Sequence, residues 1–248
     1  MTSIFDRDDF TASLFFPRPD ATPPGSATDL AVDVVGAELH VRCHPAPTAR
    51  CALLLFHGNG EVVADYDGAS GRFAACGAAL AVADYRGYGK STGAPTLRTL
   101  IADAPAVAAA VRDAMGLPLV VMGRSLGGAA AHALYAQPIA DMIGVVLEST
   151  FTDLRGLIAR RGLRAPDAFT ADETATFDPL PKLAAGRLPL LVLHGERDAL
   201  IPVGEAATAL ATAGSAVKQL VTIPGHGHND LSFADGYWAA LAGFVAAL

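Results

Sequence analysis

The sequence predicts an α/β domain, a mainly parallel sheet with helices on both faces, and three observations carry that reading. Apolar runs of strand length alternate with helix-like stretches from about residue 51 to the end, and repeated β–α alternation builds a parallel sheet covered on both sides. Runs such as CALLLF at 51–56 and LPLVVM at 117–122 are apolar at almost every position. A strand buried on both faces needs that composition, whereas a half-exposed strand alternates. The chain has 248 residues, 52% of them hydrophobic and 17% charged, enough apolar material for one large core, and no linker divides it.

Each element follows from local pattern. Residues 1–28 form an N-terminal arm, rich in proline and aspartate to about Ser26 and so expected to be irregular. Residues 29–35 and 38–43 read as two strands joined at Gly36, a hairpin. A strand at 51–56 leads to a helix within 62–76, and a strand at 80–84 leads to a helix over 96–115. Pro105 should kink that helix unless it falls in the first turn. The strand at 117–122 precedes an alanine-rich helix former at 126–135. Further strands fall at 143–147, 188–194 and 217–223, and a last helix runs from Leu231. Between 151 and 187 the rhythm breaks: the stretch is longer than one crossover helix needs, and it reads as a small helical cap. It carries Arg155, Arg160, Arg161 and Arg164, then Asp167, Asp172, Glu173 and Asp178. A solvated helix face paired with those acids is favoured over recognition of an acidic substrate group.

Composition excludes several classes. A net charge of −7 argues against a nucleic-acid partner held by phosphate contacts. No apolar run is long enough to span a bilayer. The start, MTSIFDRDDFTASLFF, has acids where a signal peptide needs a basic n-region. The 3 cysteines (Cys43, Cys51, Cys76) cannot all pair and lack metal-ligand spacing, so a reducing cytoplasm is expected and no metal site.

Chemistry enters at Gly123-Arg124-Ser125-Leu126-Gly127, a G-x-S-x-G pattern set between a strand and a helix. That context makes a nucleophile elbow, a sharp turn that lifts the serine hydroxyl off the sheet. Glycines 123 and 127 leave room for the turn, and Gly128 lets the helix lie close to the sheet. A serine hydroxyl is a weak nucleophile and needs a base, itself oriented by a carboxylate. In such sheets ligands sit beyond the carboxyl ends of the strands. Asp198, in HGERD, follows one later strand; His226 and His228, in GHGHND, follow the last. The order serine, aspartate, histidine fits a hydrolase on this sheet. Glu148 also ends a strand, where it can pair with Arg124, and Asp230 is placed to cap the final helix. Acyl transfer further needs donors for an oxyanion. The Leu126 backbone N–H is one, and the Asn59 amide, in the loop His57-Gly58-Asn59-Gly60-Glu61, is assigned as the other. The His57 side chain reads as a brace for that loop.

Taken together, FHGNG, DYRGYGKS, GRSLGGA, HGERDALIP and GHGHND resemble the α/β-hydrolase superfamily, from about residue 29 to the end. The likeness is greatest to its compact, short-capped serine hydrolases, esterase-like and depalmitoylase-like. It implies an α/β-hydrolase fold with Ser125 as nucleophile, Asp198 as acid, His228 as base, and the amides of Asn59 and Leu126 as the oxyanion hole. Asp84, Arg86 and Ser91 match a recurring loop read as structural. Spacing alone excludes neither His226 nor His228. The resemblance, proximity to the final helix, and the glycines that loosen the loop around His226 favour His228. The expectation is a serine hydrolase of small-molecule carboxylic esters or thioesters that uses no cofactor. An amidase, peptidase or acyltransferase with the same triad is the alternative, and a non-catalytic ligand-binding scaffold is the rival from another class. Oligomeric state is not legible.

Overall fold

A computed structural model describes residues 3–248. Eight strands form one sheet, β1 (Thr28–Val34), β2 (Ala37–His44), β3 (Cys51–Phe56), β4 (Ala78–Ala83), β5 (Leu119–Arg124), β6 (Met142–Glu148), β7 (Leu190–Gly195) and β8 (Lys218–Ile223), in the order β1-β2-β4-β3-β5-β6-β7-β8. β1 and β2 are a hairpin turning at Gly36, whose φ of 77° needs glycine. β2 runs antiparallel to β4, and every later pairing is parallel.

Burial explains the unbroken apolar runs. All six positions of β3 and of β4 are buried. Side chains alternate between two layers, with Ala52, Leu54 and Phe56 on one face and Cys51, Leu53 and Leu55 on the other. The first layer is covered by α3 (Leu97–Met115), α4 (Gly128–Ala136) and the helices between β6 and β8; the second is covered by α2 (Ser70–Ala75) and α9 (Asp235–Ala247). α3 starts at Thr96, whose hydroxyl accepts from the Thr99 N–H, and ends at Gly116 in the left-handed region. Pro105 sits well inside that helix, which continues through it. α8 (Val203–Thr212) fills the crossover to the edge strand β8.

The arm departs from expectation. A 3-10 turn at Ile4–Asp6 and α1 (Asp8–Leu14) occupy its first half, and Phe5, Phe10, Leu14 and Phe15 are buried. Phe5 stacks edge-on to Phe10 at 5.3 Å and lies 4.2 Å from the Phe177 ring. The aromatic burial outweighs what proline and aspartate content suggests. Residues 15–27 carry no regular element beyond a bridge between Pro19 and Gly89. The 151–187 stretch holds α5 (Leu154–Arg160), α6 (Ala171–Phe177) and α7 (Pro179–Ala185). The final helix is not continuous from Leu231: a 3-10 turn at Leu231–Phe233 comes first, and Ala234 is extended before α9.

Candidate active site

β5 pairs with β3 and β6 so that Gly123 lies beside Phe56 and Leu147, which brings the ends of three strands together just before Ser125. Ser125 then takes a φ of 51°, rare for a residue with a side chain, and opens a 3-10 turn, Ser125–Gly127, into α4. Crowding forces the glycines. A Cβ on Gly127 would lie 2.0 Å from the Phe56 carbonyl oxygen, and one on Gly123 would lie 2.7 Å from the Gly127 oxygen. Gly128 relieves a contact other than the expected one, because its Cβ would meet the Thr150 side chain at 2.6 Å rather than the sheet.

Three predicted side chains come together in a line. His228 Nε2 is 2.9 Å from Ser125 Oγ, and His228 Nδ1 is 2.7 Å from Asp198 Oδ2. The other Asp198 oxygen accepts from the backbone N–H groups of Leu200 and Ile201, at 2.9 and 2.8 Å. Burial pushes the Asp198 carboxyl up, but hydrogen bonds from His228 and Ile201 and the nearby histidine charge outweigh it, and the net shift is downward. His226 is elsewhere: its Nδ1–H donates to the Pro224 carbonyl at 2.9 Å, on the exposed side of the loop.

The loops after β7 and β8 are stapled together. The Arg197 N–H donates to the His226 carbonyl at 2.8 Å and the Gly225 N–H to Glu196 at 2.9 Å. Gly195 permits this closeness, since its Cβ would sit 2.4 Å from the Gly227 oxygen. Asp230 stands at the N-cap position of the 3-10 turn Leu231–Phe233 but its side chain makes no capping bond; its carboxylate accepts the Gly227 N–H at 2.7 Å and so braces the loop from within.

Glu148 is buried and fully engaged. One oxygen lies 3.1 Å from Arg124 Nε, and the other accepts from Tyr237 Oη at 2.7 Å. Burial raises its pKa despite the Arg124 charge. Neither oxygen is left to orient His228. Arg124 does more than the single pairing expected of it. It also holds Glu61, donates to Asn229 Oδ1 at 2.9 Å and reaches the His228 carbonyl at 3.3 Å. Glu61 in turn accepts the Gly58 N–H at 2.7 Å and the Tyr66 hydroxyl at 2.6 Å. Sequence reasoning misses Glu61 because a lone glutamate three residues past a glycine carries no signal of its own.

Asn59 lies in the loop after β3. Its side-chain oxygen accepts from the Phe16 N–H at 3.0 Å and from Tyr88 at 2.7 Å, and its amide donates to the Leu14 carbonyl at 2.6 Å. His57 is fully buried, with Nδ1 donating to the Gly58 carbonyl at 2.8 Å and Nε2 3.3 Å from Asp84. Asp84 also meets His40 at 2.9 Å; Ser91 accepts the His40 N–H at 2.8 Å, and Arg86 clamps Asp103 at 2.7 Å. These contacts make that loop structural. Ser125, Leu126, Asn59 and His228 line one cavity of about 320 Å³, closed in part by Leu14 and Phe16 of the arm.

A mainly parallel sheet whose strand ends carry this serine turn, with acid and histidine loops in order behind it, defines an α/β hydrolase. The chain belongs to the family described as serine aminopeptidase S33 (Hydrolase_4), whose model matches residues 47–174. It is similar to protein bem46 of Schizosaccharomyces pombe, 32% identical over 211 residues, 81% of this chain and 69% of that one. An uncharacterized membrane protein of Saccharomyces cerevisiae is 33% identical over 175 residues, 68% of this chain and 61% of its own length. Human alpha/beta hydrolase domain-containing protein 17B is 30% identical over 220 residues, covering 84% of this chain and 70% of that protein. Among solved structures, an esterase of Pyrococcus furiosus superposes with a TM-score of 0.75 at 16% identity, over 94% of this chain and 98% of that one. No helix among the described residues is long and apolar enough to cross a membrane.

Proposed function

We propose that this hydrolase cleaves carboxylic esters or thioesters through an acyl-serine intermediate. The observation that supports it most is the line Ser125–His228–Asp198, at 2.9 and 2.7 Å, opening on one cavity. In this reading Ser125 Oγ attacks the carbonyl carbon while its proton passes to His228 Nε2, and Asp198 steadies the imidazolium. The carbonyl oxygen, now an oxyanion, is received by the N–H groups of Leu126 and Asn59. Collapse breaks the bond to the alcohol or thiol, which leaves with the proton from His228. Water then attacks the acyl carbon as its proton passes to His228; the bond from that carbon to Ser125 Oγ breaks, His228 returns the proton to Oγ, and the acid leaves. Every proton stays among Ser125, His228, substrate and water, so the reaction as written needs no metal or cofactor. The esterase among the structural neighbours is consistent with it.

The family's description favours a second reading, an aminopeptidase. That reaction requires a free carboxylate for the substrate ammonium, and the one acid lining the cavity, Glu61, is engaged by Arg124 and Tyr66. A fluorophosphonate probe with wild type and Ser125→Ala, followed by p-nitrophenyl esters, acyl thioesters and aminoacyl anilides, tests both. Labelling lost in Ser125→Ala with ester turnover is expected; unlabelled folded wild type refutes the mechanism, and anilide preference moves the reading to the peptidase. The three buried free thiols suit a reducing compartment, and we place the protein in the cytoplasm, which cell fractionation checks.

A further inference from the structure

We propose that Arg161, with Arg160 beside it, recognises an anion in the active-site cavity, so that the preferred ester carries a carboxylate or phosphate besides its scissile carbonyl. The proposal rests on the hydrolase reading above and names its substrate class. Both arginines stand at the end of α5 and line the same cavity as Ser125 and Leu126.

Hydrogen-bond accounting separates the arginines. Arg155 donates to the carbonyls of Pro166 and Asp167 at 2.7 and 2.9 Å and stacks on Phe169, while Arg164 is 91% exposed. Both are exposed as expected, but only Arg164 has one of the acids as its partner, Asp167 at 3.6 Å. Arg160 and Arg161 differ. Arg160 pairs with Glu205 at 2.8 Å through Nη1, yet its Nη2 is buried without a partner. Among the described residues Arg161 meets no carboxylate; its one hydrogen bond is a long 3.3 Å contact from Nη1 to the Ser13 carbonyl, and its Nε is buried and unpartnered.

Buried guanidinium N–H groups without acceptors are costly, and a guanidinium offers its five donors in a planar fork. An oxyanion of two or three oxygens fits that fork, with charge-assisted bonds. The charge around the cavity agrees. Its lining holds Arg124, Arg160 and Arg161 against Glu61 alone, and Glu61 is committed to Arg124. Burial and the neighbouring Arg160 lower the Arg161 pKa, as expected for a cation lacking a counter-charge. An anion bound in the cavity that Arg161 lines would supply that counter-charge.

The test compares p-nitrophenyl hydrogen glutarate with its neutral methyl ester, which shares shape and leaving group. Wild type is expected to prefer the charged ester by about tenfold or more in kcat/KM, the scale of one charge-assisted hydrogen bond. Arg161→Gln should bring that ratio towards one, and Arg161→Lys should keep part of it. Glutarate and inorganic phosphate, titrated calorimetrically into wild type, separate the two anion sources without turnover, and Arg161→Gln should abolish the binding seen. Should that variant melt early, the wild-type ratio is read against ionic strength, and a salt-dependent decline is expected. A wild-type ratio at or below one, or a ratio unchanged in folded Arg161→Gln, overturns the proposal while neutral-ester turnover leaves the hydrolase reading standing. Anion binding without Ser125 labelling would sink the hydrolase reading instead.

Discussion

Gly127→Ala adds one methyl group at the tightest point of the elbow. The new Cβ would sit 2.0 Å from the Phe56 oxygen, 2.5 Å from its carbonyl carbon and 2.8 Å from Tyr85 Oη. Relief requires these atoms to part by more than about 1 Å, a shift on the scale that costs about 100-fold in rate when it reaches reacting groups. Phe56 cannot give way alone, because β3 is paired on one side with Ala83 and on the other with Gly123. Tyr85 is tied as well, donating to the His57 carbonyl. The strain therefore falls between the loop carrying Asn59 and the turn carrying Leu126, the two proposed oxyanion donors. Losing one such donor costs about 100- to 1,000-fold in kcat. We expect a kcat loss in that range and a stability loss of about 1–3 kcal/mol from overpacking. Gly71→Ala is the control. Gly71 lies in α2, and a Cβ added there would have nothing within 4 Å, so alanine should stabilise by roughly 0.5–1 kcal/mol and leave kcat alone. Ester kinetics and urea denaturation on both variants are the assays. If Gly127→Ala kept more than about a tenth of the wild-type kcat, the crowding argument for the elbow would fail.

His228→Ala should cost at least about 1,000-fold in turnover and His226→Ala no more than about tenfold; kinetics on one activated ester, with melting as a fold control, would reverse the assignment if the order came out the other way. Asp198→Asn should be nearly as severe, whereas Glu148→Gln should keep kcat within about tenfold but lower stability by about 1–3 kcal/mol, since Arg124 loses one of its two carboxylates. His132 is buried with both ring nitrogens unpartnered, and burial drives its pKa from 6.5 down to about 3. Between those values the unfolded chain binds a proton that the native state refuses, so stability falls with pH from about 6.5 towards 3, by up to about 1.4 kcal/mol per unit. His132→Phe, whose ring would face Phe151 without a titratable group, should flatten that slope in urea melts taken across the window; an unchanged slope would exclude His132 as the source.

Legibility tracks the range of the interaction. β3 is readable to the residue because every side chain in it is buried, and the elbow because its glycines and serine fall in one short run between a strand and a helix. The arm is not, because Phe5 finds its partners at Phe169 and Phe177, across more than half the chain. Asp230 misleads for a different reason. An acid before a helical pattern reads as a cap, and only the path of the loop reveals that it faces Gly227 instead. The cap arginines are legible as a cluster, but which of them face the cavity depends on how α5 lies against Ser13 and Glu205.

Parallel strands deliver loops to one edge of the sheet but leave the spacing among those loops open, and here polar ties close it. Arg124 stands one residue before Ser125 and binds the loop after β3 through Glu61, the end of β6 through Glu148, and the loop after β8 through Asn229 and the His228 carbonyl. An apolar side chain at that position would pack but would not set direction, whereas a planar guanidinium fixes the angle of each partner. Burial pulls the Arg124 pKa down and the charges of Glu148 and Glu61 more than restore it, so the cation is kept. The same logic extends outward through Asn59, which lines the cavity and whose side chain is held by Leu14, Phe16 and Tyr88. The arm is therefore a wall of the site as well as a wrap on the core. A change to Asn59 would loosen arm, oxyanion loop and cavity together, so its effect on rate reports the scaffold as much as the backbone donor.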